Sequence, residues 1–414
     1  MAHKELSMKS FRLLPMVLAM IAQSMLAQEK SAAPKFSDDV AFLKKYVDVI
    51  VLSDKSSSNQ VAVIPAYQCR VMTSTAAGAD GLSYGWVNRD LISSGKTAEH
   101  INVYGGEDRF WIGPEGGQFS VFFKKGDPFD LDHWFTPASV DTDPYQVVTK
   151  SEDQVVCSKT IHLTNYSGTK FDFEVEREIR LLDLKTAQKY IGVKVKPDIK
   201  LVAFESVNSI KNVGPVAWTK QTGLVSIWIL GMFNASPATT IVVPFKAGDV
   251  SKLGPVVNDA YFGKVPADRL VIKDGVIYFA ADAKYRSKIG IPPRRAKQML
   301  GSYDAQNKVL TLIQLTLPKG AVDYVNSMWE IQKNPFGGDA VNSYNDGPPR
   351  PGAAQLGQFY ELETSSPALA LKPNQTGTHI SRTIHLQGSD AELDAIARAT
   401  LGVGLDDIKN GLKK

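Results

Sequence analysis

From about Val51 onward the chain is a succession of short β-rich runs broken by turn residues, and this pattern limits the fold more than any other feature. VAVIPAYQCRVMTS, INVYGG, RFWIG, GQFSVFF, QVVCSKTIHLTN, FDFEVEREIRLL and KLVAFESVNSI come first, followed by LVSIWIL, TTIVVPF, RLVIKDGVIYFAA and KVLTLIQLTL. Each is rich in β-branched or aromatic residues, and Gly, Pro, Asn or Asp separates it from the next. Asp274-Gly275 and Ala305-Gln306-Asn307-Lys308 read as hairpin turns. More than a dozen strands with few helices between them predict an all-β, antiparallel sandwich rather than a parallel α/β fold. A short helix is expected near each end. One is capped by Ser37, with Phe42, Leu43, Tyr46, Val47 and Ile50 in a stripe. The other has a Ser389/Glu392 capping box and Leu393, Ile396, Ala397 and Leu401 on one face, covering a sheet edge or end.

The first residues read as a targeting segment. Lys9 and Arg12 precede the apolar run Leu13 to Ala22, which is too short for a permanent membrane span, and cleavage is expected after Ala27. The leader has no lipid-attachment Cys, so a periplasmic or secreted protein is expected, with one domain over residues 28–414. Cleavage lowers the formal net charge from +4 to +2, and no Lys/Arg block is interleaved with aromatics; a nucleic-acid partner is not expected. The two cysteines, Cys69 and Cys157, lie in strand-like runs, and a disulfide and a pair of buried thiols are both open. No metal-ligand spacing or nucleotide loop occurs; no cofactor is expected, with a site cation such as calcium left open, and the oligomeric state is undetermined.

The closing stretch, Phe359 to Leu386, carries the chemistry. In FYELE, Phe359, Glu361 and Glu363 point to one side of an extended segment and Tyr360 and Leu362 to the other. A loop with Pro373 leads to THISRTIHL, and the two runs read as late strands of a sheet. Two carboxylates on a concave face can bind sugar hydroxyls, ligate a cation or move a proton, whereas on a convex face they are solvated charges. Three segments together resemble the galactose mutarotase-like (aldose 1-epimerase) superfamily. They are Leu362-Glu363-Thr364 through Thr378 to Leu386, Val103-Tyr104-Gly105-Gly106 through Pro114-Glu115-Gly116-Gly117, and FESVNSIKNVGPVAW. The double-glycine and Pro-Glu segments are similar to those of its exported, uncharacterised members. The resemblance implies a β-supersandwich with a concave saccharide-binding face and Glu363 as base. It also departs at one point. Where the family has the histidine that protonates the ring oxygen, this chain has Gln221, and no histidine lies between His162 and His379. Glutamine cannot supply a proton that titrates near neutrality, so simple mutarotation is not expected.

Other candidates follow from residue type. His133, beside Asp130, Asp132 and Trp134, is the substitute acid, since a neighbouring carboxylate raises a histidine's pKa. Glu361 and Asp346 are alternative or second carboxylates. Arg109 can grip a hydroxyl pair or carboxylate, or pair locally with Glu107 or Asp108; Trp111 can stack on a sugar, and Glu115 sits in a Gly-rich turn. Arg286, Lys288, Arg294 and Arg295 form a basic cluster suited to an acidic sugar such as a uronate, to the phosphate or sulfate of a decorated glycan, or to surface carboxylates. The run from Trp329 to Asp346, with Asn342 and Asn345, has the composition of a sugar-binding loop. Two functions are carried forward. One is a carbohydrate-active protein with epimerase, lyase or glycoside hydrolase chemistry. The other is a carbohydrate-binding protein of the same fold without turnover.

Overall fold

The computed structural model describes residues 34–56 and 58–413; the expected leader lies outside them. Among the described residues eighteen strands form three antiparallel sheets, as the run pattern predicts. The largest has ten strands, ordered Leu270–Lys273, Val276–Ala280, Thr239–Pro244, Met299–Asp304, Val309–Leu315, Thr376–Gln387, Lys200–Asn212, Lys170–Leu181, Gln154–Thr164 and Gln146–Lys150. A five-stranded sheet runs Ser287–Ile291, Val341–Asn345, Phe359–Ser365, Ser226–Asn234 and Arg109–Gly113. A three-stranded sheet holds Ile50–Ser53, Gln60–Ile64 and Arg70–Thr75. Two-residue alternation is clean in Lys170–Leu181, where Phe171, Phe173, Val175, Ile179 and Leu181 are buried and most of the residues between them meet solvent.

The sheets face each other across an apolar layer in which Ile289, Val341, Tyr360 and Leu362 meet Ile241, Val243, Phe279 and Ile313. The other face of the ten-stranded sheet is covered by the helices Asp390–Leu401 and Leu405–Asn410 through Leu393, Ile396, Leu401 and Ile408. The terminal helix therefore covers a sheet face and not the expected edge. Both hairpin turns form, with Asp274 (φ 52°) and Gly275 (φ 78°) making the two-residue turn between Lys273 and Val276.

Several expectations are corrected. INVYGG and GQFSVFF are not strands. Val121, Phe122 and Phe123 are buried in succession, which a pleated strand with one wet face cannot arrange. The first helix, Phe36–Leu43, has Lys35 as N-cap without a side-chain bond, so Ser37 does not cap it, and Ile50 belongs to a strand. At the Asp390–Leu401 helix the Ser389 hydroxyl donates to the Glu392 carboxylate at 2.8 Å and accepts no backbone N–H, so the capping box does not form. The late strands also part company. Phe359–Ser365 is buried on both faces and lies between Val341–Asn345 and Ser226–Asn234, whereas Thr376–Gln387 joins the other sheet. They touch across the sandwich, where Thr364 Oγ1 and His379 Nε2 are 2.9 Å apart.

Cys69 and Cys157 form a disulfide, with Cα atoms 6.2 Å apart and a sequence separation of 88. It ties the turn after Pro65–Tyr67 to the strand Gln154–Thr164.

Candidate functional site

Strand register assembles the site. Lys288 pairs with Tyr344, Tyr344 with Glu361, Asn342 with Glu363, Glu363 with Leu230, and Leu230 with Arg109. Residues directly opposite in an antiparallel pair share a face, so Lys288, Asn342, Glu361, Glu363, Arg109 and Trp111 stand on one side of the five-stranded sheet. The opposite side is the apolar layer. Glu363 has no solvent exposure, and its Oε2 accepts from Trp228 Nε1 at 2.9 Å and from Lys288 Nζ at 3.0 Å. Lys288 also sits 4.5 Å above the Trp228 ring. The second oxygen, Oε1, is buried without a partner, and so is Ser226 Oγ. Burial first, then the charge of Glu363, raises the Glu361 carboxyl well above the usual carboxylate range.

Above Lys288 the sheet face opens into a cleft of about 110 Å³ accessible to solvent, walled by Glu115, Arg286, Tyr261, Phe262 and Trp329. A smaller polar recess continues inward past Tyr261 and Lys288 to Asp339, Asn342 and Ser226. Tyr261 Oη donates to Asp339 Oδ2 at 2.7 Å and accepts from Asn342 Nδ2 at 3.2 Å. Burial pushes the Asp339 carboxyl up to about 6. Glu115 follows the strand Arg109–Gly113 through a cis Gly113–Pro114 bond, and its backbone N–H donates to Ser327 Oγ at 3.2 Å. Burial raises its carboxyl to about 7, with Glu363 adding to the rise and Lys288 and Arg286 opposing it. A carboxyl group titrating near neutrality on a cleft wall is suited to both donating and accepting a proton.

A family model, described as "Family of unknown function (DUF6786)", matches residues 34–412. The chain belongs to this family. Forty-two solved chains resemble it significantly, while no curated protein sequence matches it. A provisional aldose 1-epimerase from Escherichia coli K12 is 12% identical, with a TM-score of 0.47 over 82% of this chain and 98% of its own. The Slr1438 protein from Synechocystis is 11% identical, with a TM-score of 0.49 over 83% and 96%. A galactose mutarotase-like protein from Lactobacillus casei is 11% identical, with a TM-score of 0.46 over 82% and 100%. No residue role is carried over from these structures.

In this DUF6786 protein the candidates read from sequence separate into two groups. Glu361, Glu363, Lys288, Arg286, Glu115 and Trp329 come together at or beneath the cleft. The others do not join it in the expected way. Trp111 is 4% exposed and packs against Phe122, Trp134 and Trp228, so it offers no free face to a sugar. Arg109 is fully buried, bonds Asp141 at 2.9 Å and stacks on Trp111, instead of pairing with Glu107 or Asp108. Asp346 accepts from Tyr344 Oη at 2.6 Å and from Gly357 N at 2.7 Å, which uses it as a clamp on the loop before Phe359. Asn345 is buried and bonds the backbone of Ala283 and Tyr285. Of the run Trp329 to Asp346 expected as a sugar loop, residues 329–340 are irregular with Trp329 on the cleft, whereas Val341–Asn345 is a strand. His133 is half-exposed on the turn Leu131–His133, its Nδ1 2.6 Å from Asp130, which raises its pKa as expected. Gln221 is exposed on the loop before Ser226–Asn234. Of the basic cluster, Arg295 is buried and bonds the carbonyls of Lys246, Gly248 and Gly254, and Arg294 lies away from this cleft.

The double-glycine segment proves to be a structural hub. Gly105 and Gly106 have φ of 95° and 107°, and a Cβ would meet Trp86 O at 2.1 Å and the Arg70 side chain at 2.6 Å. The three charges that follow each reach a different element. Glu107 bonds His385 Nε2 at 2.8 Å and Ser74 Oγ at 3.0 Å; Asp108 bonds Arg177 and Ser206; Arg109 bonds Asp141. Sequence reasoning passed over Trp228, Tyr261, Phe262 and Asp339. The run Asp259-Ala260-Tyr261-Phe262-Gly263 has the same aromatic and acidic loop composition that drew notice to Trp329. Among the described residues no group of three or more His, Cys, Asp or Glu is arranged to hold a metal, and no helix is long and apolar enough to cross a membrane.

Proposed function

We propose that the protein is exported and binds a saccharide in the cleft on its five-stranded sheet, where Glu115 exchanges a proton with the bound sugar. The observation that carries this is a carboxyl group titrating near 7 on the wall of a cleft whose rim is aromatic and whose floor is a buried Lys288–Glu363 pair. Trp329 and Phe262 provide flat faces for a pyranose, and Glu115 provides an acid where no histidine is present. The superfamily resemblance of the Leu362-Glu363-Thr364 strand supports the saccharide. The Cys69–Cys157 disulfide suits an oxidising compartment and supports export. The reaction is epimerisation, elimination or hydrolysis at the sugar unit beside Glu115.

One observation favours a second reading, binding without turnover. Glu363, the base that the resemblance implies, has no exposure and is held by Lys288 and Trp228. Incubation with a glycan library, followed by product analysis beside Glu115→Gln, separates the two. Turnover is expected to fall by about 10²-fold or more in Glu115→Gln while binding changes little. The wild-type rate is expected to decline as pH rises through about 7, where Glu115 loses its proton, and the variant is expected to lack that limb. An unchanged rate with an unchanged pH limb would remove Glu115 from the mechanism. Binding with no product from any glycan would establish the second reading.

The same shift predicts a stability effect. The Glu115 carboxyl titrates higher in the folded chain than its ordinary value of 4.5, so the native state holds more protons between about 4.5 and 7. Stability therefore falls as pH rises through that window, and Glu115→Gln is expected to flatten the fall in urea midpoints measured from pH 4 to 8.

A further inference from the structure

Arg286 stands in the cleft wall with its guanidinium 3.9 Å from the Phe262 ring centroid. Its Nε donates to Tyr344 Oη at 3.3 Å, and among the described residues its two terminal nitrogens have neither a hydrogen bond nor an ion pair. The carboxylates around it are committed elsewhere. Asp346 is taken by Tyr344 Oη and Gly357 N, Asp282 by Arg269, and Glu363 by Lys288 and Trp228. Glu115, the remaining neighbour, is pushed up to about 7 by burial and makes no hydrogen bond or ion pair with Arg286. The cleft thus contains a guanidinium, half-buried against an aromatic ring, whose planar fork has no direct partner among the described residues. A neutral sugar offers that fork only uncharged hydroxyl acceptors, whereas a planar oxyanion fits it with two parallel, charge-assisted N–H···O bonds.

We propose that the saccharide is acidic: a sugar unit whose carboxylate docks on the terminal nitrogens of Arg286, with Lys288 on the floor of the same cleft. This rests on the saccharide reading above and narrows it to uronate-bearing glycans. Sulfate and phosphate esters share the oxyanion but present it tetrahedrally, and they are set apart by experiment.

The test is equilibrium binding of the full chain to oligogalacturonate and oligoguluronate fragments, to their methyl esters, and to sulfated galactan fragments. The acid forms are expected to bind roughly ten- to a hundredfold more tightly than the esters, the range a charged hydrogen-bond pair spans. Arg286→Gln is expected to close that gap while changing ester affinity less than about threefold, and Arg286→Lys to restore part of it. Thermal unfolding of each variant establishes that the fold is intact. Equal affinity for acid and ester, or a gap that survives in Arg286→Gln, would overturn the acidic assignment and leave the saccharide reading standing. Tightest binding to the sulfated fragments would replace the carboxylate by a sulfate ester. If no saccharide of any charge binds, both readings fall together.

Discussion

Asp108→Ala is expected to lower the unfolding free energy by about 3–5 kcal/mol, the typical cost of stranding one member of a buried ion pair. Asp108 is 1% exposed and Arg177 fully buried, and the two are bonded to each other in the interior. The arginine also donates from Nε to Asn208 Oδ1 at 2.9 Å and from Nη1 to Gln68 O at 2.8 Å, while Ser206 Oγ donates to Asp108 Oδ2 at 2.7 Å. Removal of the carboxylate leaves a guanidinium in a region that water does not reach, and the Ser206 hydroxyl, which still accepts from Asn208 Nδ2 at 3.0 Å, loses the acceptor for its own proton. Because Asp108 sits just before the strand Arg109–Gly113 of one sheet and Arg177 lies on a strand of the other, the loss loosens the contact between sheets. Urea unfolding at matched m-values measures the effect. Asp108→Ala combined with Arg177→Met is expected to recover part of it, since the uncompensated charge is then gone. A single-variant cost below about 1 kcal/mol would show that the pair does not fasten the sheets.

Removing the disulfide with Cys69→Ala and Cys157→Ala together should cost a similar amount. A crosslink spanning 88 residues restricts the unfolded chain by about 4–5 kcal/mol in the chain-entropy account. Both cysteines are fully buried, so a reductant added to the folded protein meets no exposed sulfur, and the double variant is the sounder comparison. Its urea midpoint is expected to fall with a rise in m, because the unlinked denatured chain exposes more surface. A midpoint within about 1 kcal/mol of the wild type would mean that the 69–157 link contributes little beyond the packing around it.

These two expectations turn on residues whose meaning differed between sequence and structure. Asp108 and Arg109 sit in a motif that reads as a ligand-binding turn, yet their partners, Arg177 and Asp141, lie 69 and 32 residues away in sequence. No local pattern announces such pairs, because a charge in a β-rich run looks the same whether its face is wet or buried. The Phe359–Ser365 strand shows the converse. Its alternation put Glu361 and Glu363 on one side, and the register confirms it, since side-chain direction in a strand is a two-residue property of the backbone. That Thr376–Gln387 joins another sheet could not be read locally, because pairing depends on which neighbours are free to bond.

The sequence by itself determined the all-β class, the hairpin turns, the shared face of the two glutamates and the apolar stripe of the terminal helix, all consequences of short-range periodicity and turn chemistry. Tertiary structure alone decided that Trp111, Arg109, Asn345 and Asp346 are interior braces, and that Glu115, Arg286 and Trp329 share a cleft with Tyr261 and Phe262. Burial, and with it the pKa of Glu115 and the open fork of Arg286, is set by residues brought together from distant parts of the chain.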